Sequence, residues 1–243
     1  MSPEPAHAQP TATRPFVITF SGIDGAGKTT QIDCLSLSLQ KQGLRVLRLS
    51  FWDDVAVWSN MRSGVGQRTA KTSGAGETAE PSFSPRNNKH IRKWYLTGAR
   101  LGFYMLDAMR LRWLLTTPRA TRFDVIIFDR YIYDQIANFY SRSFAARFYS
   151  KMLLSQTPTP DLAFIIDASP SAAFARKAEY PLDFVVKNRQ TFLDLGEIVP
   201  QLIIISPAAA EEVRREIDLH VRRTRLSPGL RLRERLQLLW PTP

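Results

Sequence analysis

The chain has 243 residues, 44% of them hydrophobic, a net charge of +11 and one cysteine, Cys34. That length suits one α/β domain with room for an insertion. The lone cysteine rules out an intrachain disulfide or a cysteine-rich zinc site, and no apolar run reaches the ~18 residues of a transmembrane helix.

Residues 1–14 are polar, rich in Pro and Ala and without an apolar signal core, so they read as a disordered leader and the expected location is cytoplasmic. Phe16-Val17-Ile18-Thr19-Phe20 is a strand. It runs into Gly22-Ile23-Asp24-Gly25-Ala26-Gly27-Lys28-Thr29, and a helical pattern follows. Strand, G-x-x-x-x-G-K-T, helix is the context that makes this motif a phosphate-binding P-loop. Gly22 and Gly27 allow positive φ and bring backbone N–H groups against phosphate oxygens. The helix start turns its positive dipole end to the same anion. Lys28 should reach the β and γ phosphates and the Thr29 hydroxyl a Mg²⁺ ion, which makes ATP and Mg²⁺ the expected ligands.

Ile32, Leu35 and Leu39 share a helical face that ends near Gly43, with Cys34 expected to be a small buried residue in that helix. Arg45 to Phe51 reads as a second strand, and Asp53 and Asp54 at its carboxyl end serve equally well as a turn or as ligands of a substrate hydroxyl. Between Ser59 and Asn88 the composition turns to Gly, Ser, Thr, Ala and Pro with scattered cations, so a mobile insert is expected over 59–88. Lys89 to Thr116 is helical, its apolar run interrupted by Arg100 and Arg110; solvent is their default, and an acceptor pocket the alternative for one of them.

Phe123 to Asp129 is a near-continuous apolar strand, as a parallel strand buried on both faces should be. The acid that closes it, Asp129, is placed to act on a metal ion or its waters. A helix is expected from Tyr131 to Leu154, then a buried strand from Leu162 to Asp167. Ser169 and Pro170 fit the N-cap and first position of the next helix. That helix breaks at Tyr180-Pro181 and resumes through Arg189. Leu202 to Ile205 is the last strand, Pro207 to Thr224 the last helix, and 227–243 an arginine-rich tail. Alternating strands and helices argue for a parallel sheet covered on both faces.

Several segments together resemble the thymidylate kinase family of P-loop nucleoside monophosphate kinases: Phe20 to Gln31, Asp129-Arg130-Tyr131, Pro160-Asp161-Leu162 with its strand to Asp167, Ala172 to Lys177, and Ser206 to Ile217. They stand in family order and span most of residues 15–220. The resemblance implies a P-loop NTPase fold, a three-layer αβα sandwich with a mostly parallel five-stranded sheet. It makes 15–226 a kinase domain with a short helical lid over 170–189. It implies ATP held by Gly22, Ile23, Asp24, Gly25, Ala26, Gly27, Lys28, Thr29, Thr30 and Arg176, with Mg²⁺ held by Thr29 and Asp129.

For the acceptor it implies Asp24 at the sugar and Arg130 at the phosphate; Arg100, Tyr131 and Asn138 are further candidates for the acceptor pocket. The family also brings an arginine over the transferring phosphate, from the P-loop or from the lid. Gly25 stands where a P-loop arginine could, so Arg176, Lys177 or Arg189 must supply that charge, and the catalytic set becomes Lys28, Arg130, Arg176 and Arg189.

The chain departs from the family where a Glu-Pro-Gly segment usually follows the second strand; it has Trp52-Asp53-Asp54. It departs again after Asp-Arg-Tyr, where Ser-Ser and Ala-Tyr-Gln usually seat the thymine base. Here those places read Asp134-Gln135 and Ala137-Asn138-Phe139. Gln135 or Asn138 could still hydrogen-bond a base.

The expected activity is transfer of the γ-phosphoryl group from ATP to a nucleoside monophosphate, with a dTMP-like acceptor first. Its partner is a small nucleotide, a homodimer is compatible with it, and nucleic acid is not expected. Two alternatives remain open at this point. One is a P-loop kinase of another small acceptor, such as an adenylylsulfate or a sugar. The other is a nucleotide-binding regulator that uses its positive charge to bind nucleic acid.

Overall fold

A computed structural model of the chain describes residues 14–56, 94–139 and 143–225. The leader up to residue 13, the 59–88 insert and the 227–243 tail lie outside the described residues. Five strands, β1 (Phe16–Ser21), β2 (Val46–Ser50), β3 (Val125–Asp129), β4 (Leu162–Ile166) and β5 (Leu202–Ile205), form one sheet in the order β2-β3-β1-β4-β5. Every pairing is parallel, so the expected sheet is observed, without the antiparallel strand that "mostly parallel" allowed.

The central strands β1 and β4 are buried at every position, and β3 at all but Asp129. The edge strand β2 is only half-buried, with Arg48 exposed. That difference accounts for the unbroken apolar runs in the middle of the sheet.

Helix α1 (Lys28–Lys41) packs with α7 (Ala210–Arg225) on one face. On the other lie α2 (Trp94–Thr116), α3 (Ile132–Ala137), α4 (Phe144–Gln156) and α6 (Leu182–Asp194), linked through α2–α4, α2–α3 and α3–α6 contacts. The short α5 (Pro170–Arg176) packs on α6. The αβα sandwich is therefore present. No helix among the described residues is long and apolar enough to cross a membrane.

Register decides where the site lies. Phe20 and Ser50 both sit opposite Asp129, and Ser21 sits opposite Ile165. The segments that leave β1, β3 and β4 thus emerge side by side at the carboxyl edge, where open α/β sheets bind ligands. At the other edge, Asp161 accepts the Val17 N–H at 2.8 Å and pairs with Arg14, while Asp124 holds Arg45 at 3.1 Å.

Three local expectations are revised. The helix expected from Tyr131 to Leu154 is two helices, because Asn138 closes α3 and Ser143 starts α4 afresh, its Oγ accepting the Ala146 N–H at 3.3 Å. The second strand stops at Ser50, and Phe51–Val55 forms a π-helical turn in which Asp54 accepts the Ser50 N–H at 2.7 Å. Asp54 is therefore a turn residue. Cys34 is only half-buried. Ser169 does cap α5, accepting the Ala172 N–H at 3.2 Å, with Pro170 at the first position.

Candidate functional site

The loop after β1 is shaped by its glycines. Gly22, Gly25 and Gly27 all have positive φ (135°, 82° and 89°), which a side chain would resist. At Gly22 a Cβ would lie 2.5 Å from the Ile166 carbonyl oxygen, so the loop can cross the end of β4 only without one. At Gly25 it would lie 2.4 Å from the Ala173 carbonyl oxygen, so the loop also lies flat against α5. Gly27 caps α1 and faces open space, with no atom within 4 Å of a Cβ there. No side chain caps that helix and no acid stands in its first turn. These N–H groups and the dipole behind them suit an anion.

Lys28 reaches back into the loop. Its side chain is 7% exposed, and its Nζ donates to the Gly22 and Ile23 carbonyl oxygens, both at 2.8 Å. Burial first, then the nearby Arg130 charge, lower its pKa to about 8, against a smaller opposite pull from Asp134, Asp24 and Asp129. A phosphate chain is the partner that would relieve both effects.

Arg130 follows β3 with φ of 69°, the one non-glycine residue with positive φ among those described. Its N–H donates to the Phe20 carbonyl at 2.8 Å, which ties the end of β3 to β1. Its guanidinium bridges two carboxylates, Asp24 in the loop and Asp134 on α3, the latter at 3.0 Å. Burial pulls its pKa down, but the two acids outweigh burial and hold it above the usual arginine value. Asp134 Oδ2 also accepts the Tyr131 N–H at 3.2 Å, starting α3.

The remaining predicted site residues fall into place unevenly. Arg176, the last residue of α5, donates from Nη1 to the Gly25 carbonyl at 2.8 Å and so lies on the P-loop. Arg189, on α6, forms two 2.7 Å bonds to Asp167 at the end of β4. Lys177 pairs with Glu179 at 3.1 Å. Thr29 and Thr30 are exposed at the start of α1, Ile23 and Ala26 are buried, and Asn138 is exposed at the end of α3. Tyr131 is a core residue: it is wholly buried among Phe51, Phe128 and Tyr133, and its hydroxyl donates to the Pro158 carbonyl. The Arg100 side chain lies outside the described residues.

A metal ion would find few protein ligands. No group of three or more His, Cys, Asp or Glu able to hold one occurs among the described residues. The Thr29 hydroxyl is exposed, and Asp129, half-buried, keeps one contact to Arg48 at 3.3 Å. Two hard oxygen donors fit a Mg²⁺ ion that takes the rest of its shell from water and phosphate, and would not suffice for a closed protein cage.

One pairing was not foreseen from the sequence, which offered Gln135 only as a possible base contact and did not single out Asp107. Asp107 on α2 and Gln135 on α3, both wholly buried, meet with Nε2 donating to Asp107 Oδ2 at 2.5 Å. The available signal was an aspartate on a face otherwise made of Tyr104, Ala108 and Leu111, at helical spacing.

A strand–loop–helix phosphate cradle on an all-parallel αβα sheet defines the class, a P-loop fold. No protein-family model matches the chain. A probable thymidylate kinase of Pyrococcus abyssi is 25% identical to it over 216 residues, covering 84% of this chain and 94% of that one. One of Pyrobaculum aerophilum is 26% identical over 220 residues, covering 85% and 96%. The crystal structure of a thymidylate kinase from Ehrlichia chaffeensis shares the fold, with a TM-score of 0.53 at 20% identity over 86% of this chain and 99% of that one. These relatives bear the name of the family that the motifs of the chain resemble.

Two predictions follow the loop geometry. Gly25→Ala should lower the stability of the ligand-free protein in a denaturant titration by more than Gly27→Ala. Both carry the positive-φ penalty of about 1 kcal/mol, whereas only Gly25→Ala drives a Cβ into α5. Equal losses would mean that the loop and α5 are not in contact in solution.

The second concerns Lys28. Phosphate oxygens stabilise its charged form, so tripolyphosphate binding should take up protons at and above pH 8 and weaken as pH rises through that range. Calorimetry in buffers of different ionisation enthalpy measures the uptake, which Lys28→Met should abolish.

Proposed function

We propose that this protein transfers the γ-phosphoryl group of ATP, with Mg²⁺, to a nucleoside monophosphate, a dTMP-like acceptor first among them. The observation that carries this reading is the convergence of three cations from separate elements on one glycine loop: Lys28 from inside it, Arg176 from α5 onto the Gly25 carbonyl, and Arg130 from the end of β3 onto Asp24. Phosphoryl transfer needs alignment and charge stabilisation more than covalent help. The names of the relatives supply the acceptor.

In this reading the loop N–H groups and Lys28 hold the phosphate chain, and Thr29 with Asp129 holds the metal. Bound there, Mg²⁺ neutralises charge on the phosphate oxygens. Arg130 binds the acceptor phosphate, and Asp24, already its partner, touches the acceptor sugar. Arg176 stands where the charge of the transferring group develops, which makes good the missing arginine at Gly25. Arg189 is the alternative source of that charge, but its bidentate pairing with Asp167 favours a role in anchoring α6 to β4. Asn138 remains an acceptor-side candidate because it is exposed at the end of α3. A cytoplasmic homodimer fits this reading, with the exposed apolar residues Met109 and Trp113 of α2 and Phe144 and Phe148 of α4 as its natural interface.

Purified protein with ATP and Mg²⁺, assayed against a panel of nucleoside monophosphates, tests the proposal. Lys28→Ala should abolish transfer with the fold intact by circular dichroism. Arg176→Ala should lower kcat on the order of 10²–10³-fold with a smaller change in KM, as removal of one transition-state donor does. Transfer to none of the panel would overturn the acceptor assignment, and an unchanged kcat for Arg176→Ala would remove the lid arginine from the mechanism.

A further inference from the structure

At the edge of the sheet, a cation that the roles above do not use reaches the proposed metal ligand Asp129. Arg48 lies on β2, opposite Ile127 in the register of β2 with β3. Side chains two positions apart along a strand share a face, so Arg48 points to the same side as Asp129. Its Nη2 lies 3.3 Å from Asp129 Oδ2, while its Nη1 pairs with Asp33 on α1. Asp33 follows Thr29 by four residues, one turn along the same exposed face of that helix.

The two acids differ in what they offer. Asp129 is the more sheltered, with its side chain 22% exposed against 52% for Asp33. Its charge also reaches the phosphate-binding loop, where it pulls the Lys28 pKa upward against burial. Yet its bond to Arg48 is long for a charge-assisted contact, which ordinarily closes to about 2.7–2.9 Å. One carboxylate thus faces the cradle with a cation loosely upon it, and a second keeps that cation if the first is taken. A lone exposed ion pair would carry little, but three charges in one network can act together. A guanidinium and a divalent metal ion compete for the same oxygens, and the double charge gains more from them.

We propose that Arg48 is a positioning residue for the metal: it holds Asp129 before a metal ion arrives and withdraws onto Asp33 when that carboxylate is taken. This inference rests on the reading of Asp129 as a metal ligand. Arg48 lowers the metal affinity of the site, and Asp33 raises it by giving Arg48 somewhere else to go. Two protein oxygens and a competing cation leave the metal dependent on phosphate oxygens for the rest of its shell.

Mn²⁺ binding to the full chain, loaded with a non-hydrolysable ATP analogue, tests this without turnover. Electron paramagnetic resonance counts the free ion, with the analogue alone as the blank. Arg48→Met should bind Mn²⁺ about three- to tenfold more tightly than wild type, the range of a partly exposed charge network. Arg48→Lys keeps the charge and should stay within about twofold of wild type. Asp33→Asn leaves Arg48 to Asp129 alone and should weaken Mn²⁺ about two- to threefold, an effect that should vanish in the Arg48→Met background. Arg45→Met, which removes the same charge beside Asp124 at the opposite edge, should change nothing. Melting temperatures check the fold of each variant.

Equal affinity in wild type and Arg48→Met, while Asp129→Asn weakens Mn²⁺, overturns the inference and leaves the metal reading in place. An equal gain in Arg45→Met overturns it too, because the effect would then be one of net charge. If Asp129→Asn binds Mn²⁺ as tightly as wild type, or wild type takes up none beyond the blank, the inference and the metal role of Asp129 fall together. Metal binding that follows the expected pattern without phosphoryl transfer counts against the kinase reading alone.

Discussion

The constraint on which the site depends is the closeness of the P-loop backbone to two other segments. The Ile166 carbonyl would lie 2.5 Å from a Cβ at Gly22, and the Ala173 carbonyl 2.4 Å from one at Gly25. With no room for side chains, the loop is clamped between the end of β4 and α5. Both clamps lie in a run of chain that begins with a fully buried strand, so the rigidity of the core is passed to the loop. The same closeness explains why an arginine does not stand at Gly25 and why Arg176 can reach that residue's carbonyl. Exclusion of one cation from the loop and delivery of another from α5 are two consequences of one contact.

Within this clamp, charge is arranged unevenly. Lys28 is buried with only carbonyl oxygens as direct partners, and burial lowers its pKa to about 8. Arg130, a little more exposed, has two carboxylates and is held firmly charged. One cation is therefore poised to gain charge from an incoming anion, and the other is held charged and oriented by Asp24 and Asp134 before one arrives. The net charge of +11 does not by itself describe this site, because its decisive feature is the contrast between two neighbouring cations.

Much of this was legible in the sequence because the chemistry restricts it to few residue types. A strand, a glycine-framed loop and Lys28-Thr29 can hardly be read otherwise, and the apolar runs of β3 and β4 announced a sheet buried on both faces. The need for a distant cation followed from Gly25 together with the family resemblance, and Arg176 does lie on the loop from 151 positions away. Side-chain direction was less legible. Tyr131 stands beside Arg130 in a motif, but a strand-to-helix junction sends neighbouring side chains opposite ways, and Tyr131 goes to the core. The break between α3 and α4 was hidden because apolar spacing continues across it, and only the Ser143 cap marks a new start. The Asp107–Gln135 pairing was harder to read, because an aspartate on an apolar helical face does not say which residue it meets. Only the packing of α2 on α3 gives each its meaning.

The backbone at Arg130 connects these observations. A non-glycine residue with φ of 69° carries a conformational cost of about 1–2 kcal/mol. Here it is offset by the N–H bond to Phe20 and by charge-assisted bonds to Asp24 and Asp134. The turn it produces lets α3 begin at Ile132, two residues after Arg130 and three after the last residue of β3. Asp134 then falls on the guanidinium and Gln135 against Asp107. A relaxed Arg130 would start α3 at a different angle and separate both pairs. The strain at this one residue therefore sets the spacing between the Asp24–Arg130–Asp134 bridge and the Asp107–Gln135 bond. Backbone strain kept at a ligand site is expected to do this kind of positioning.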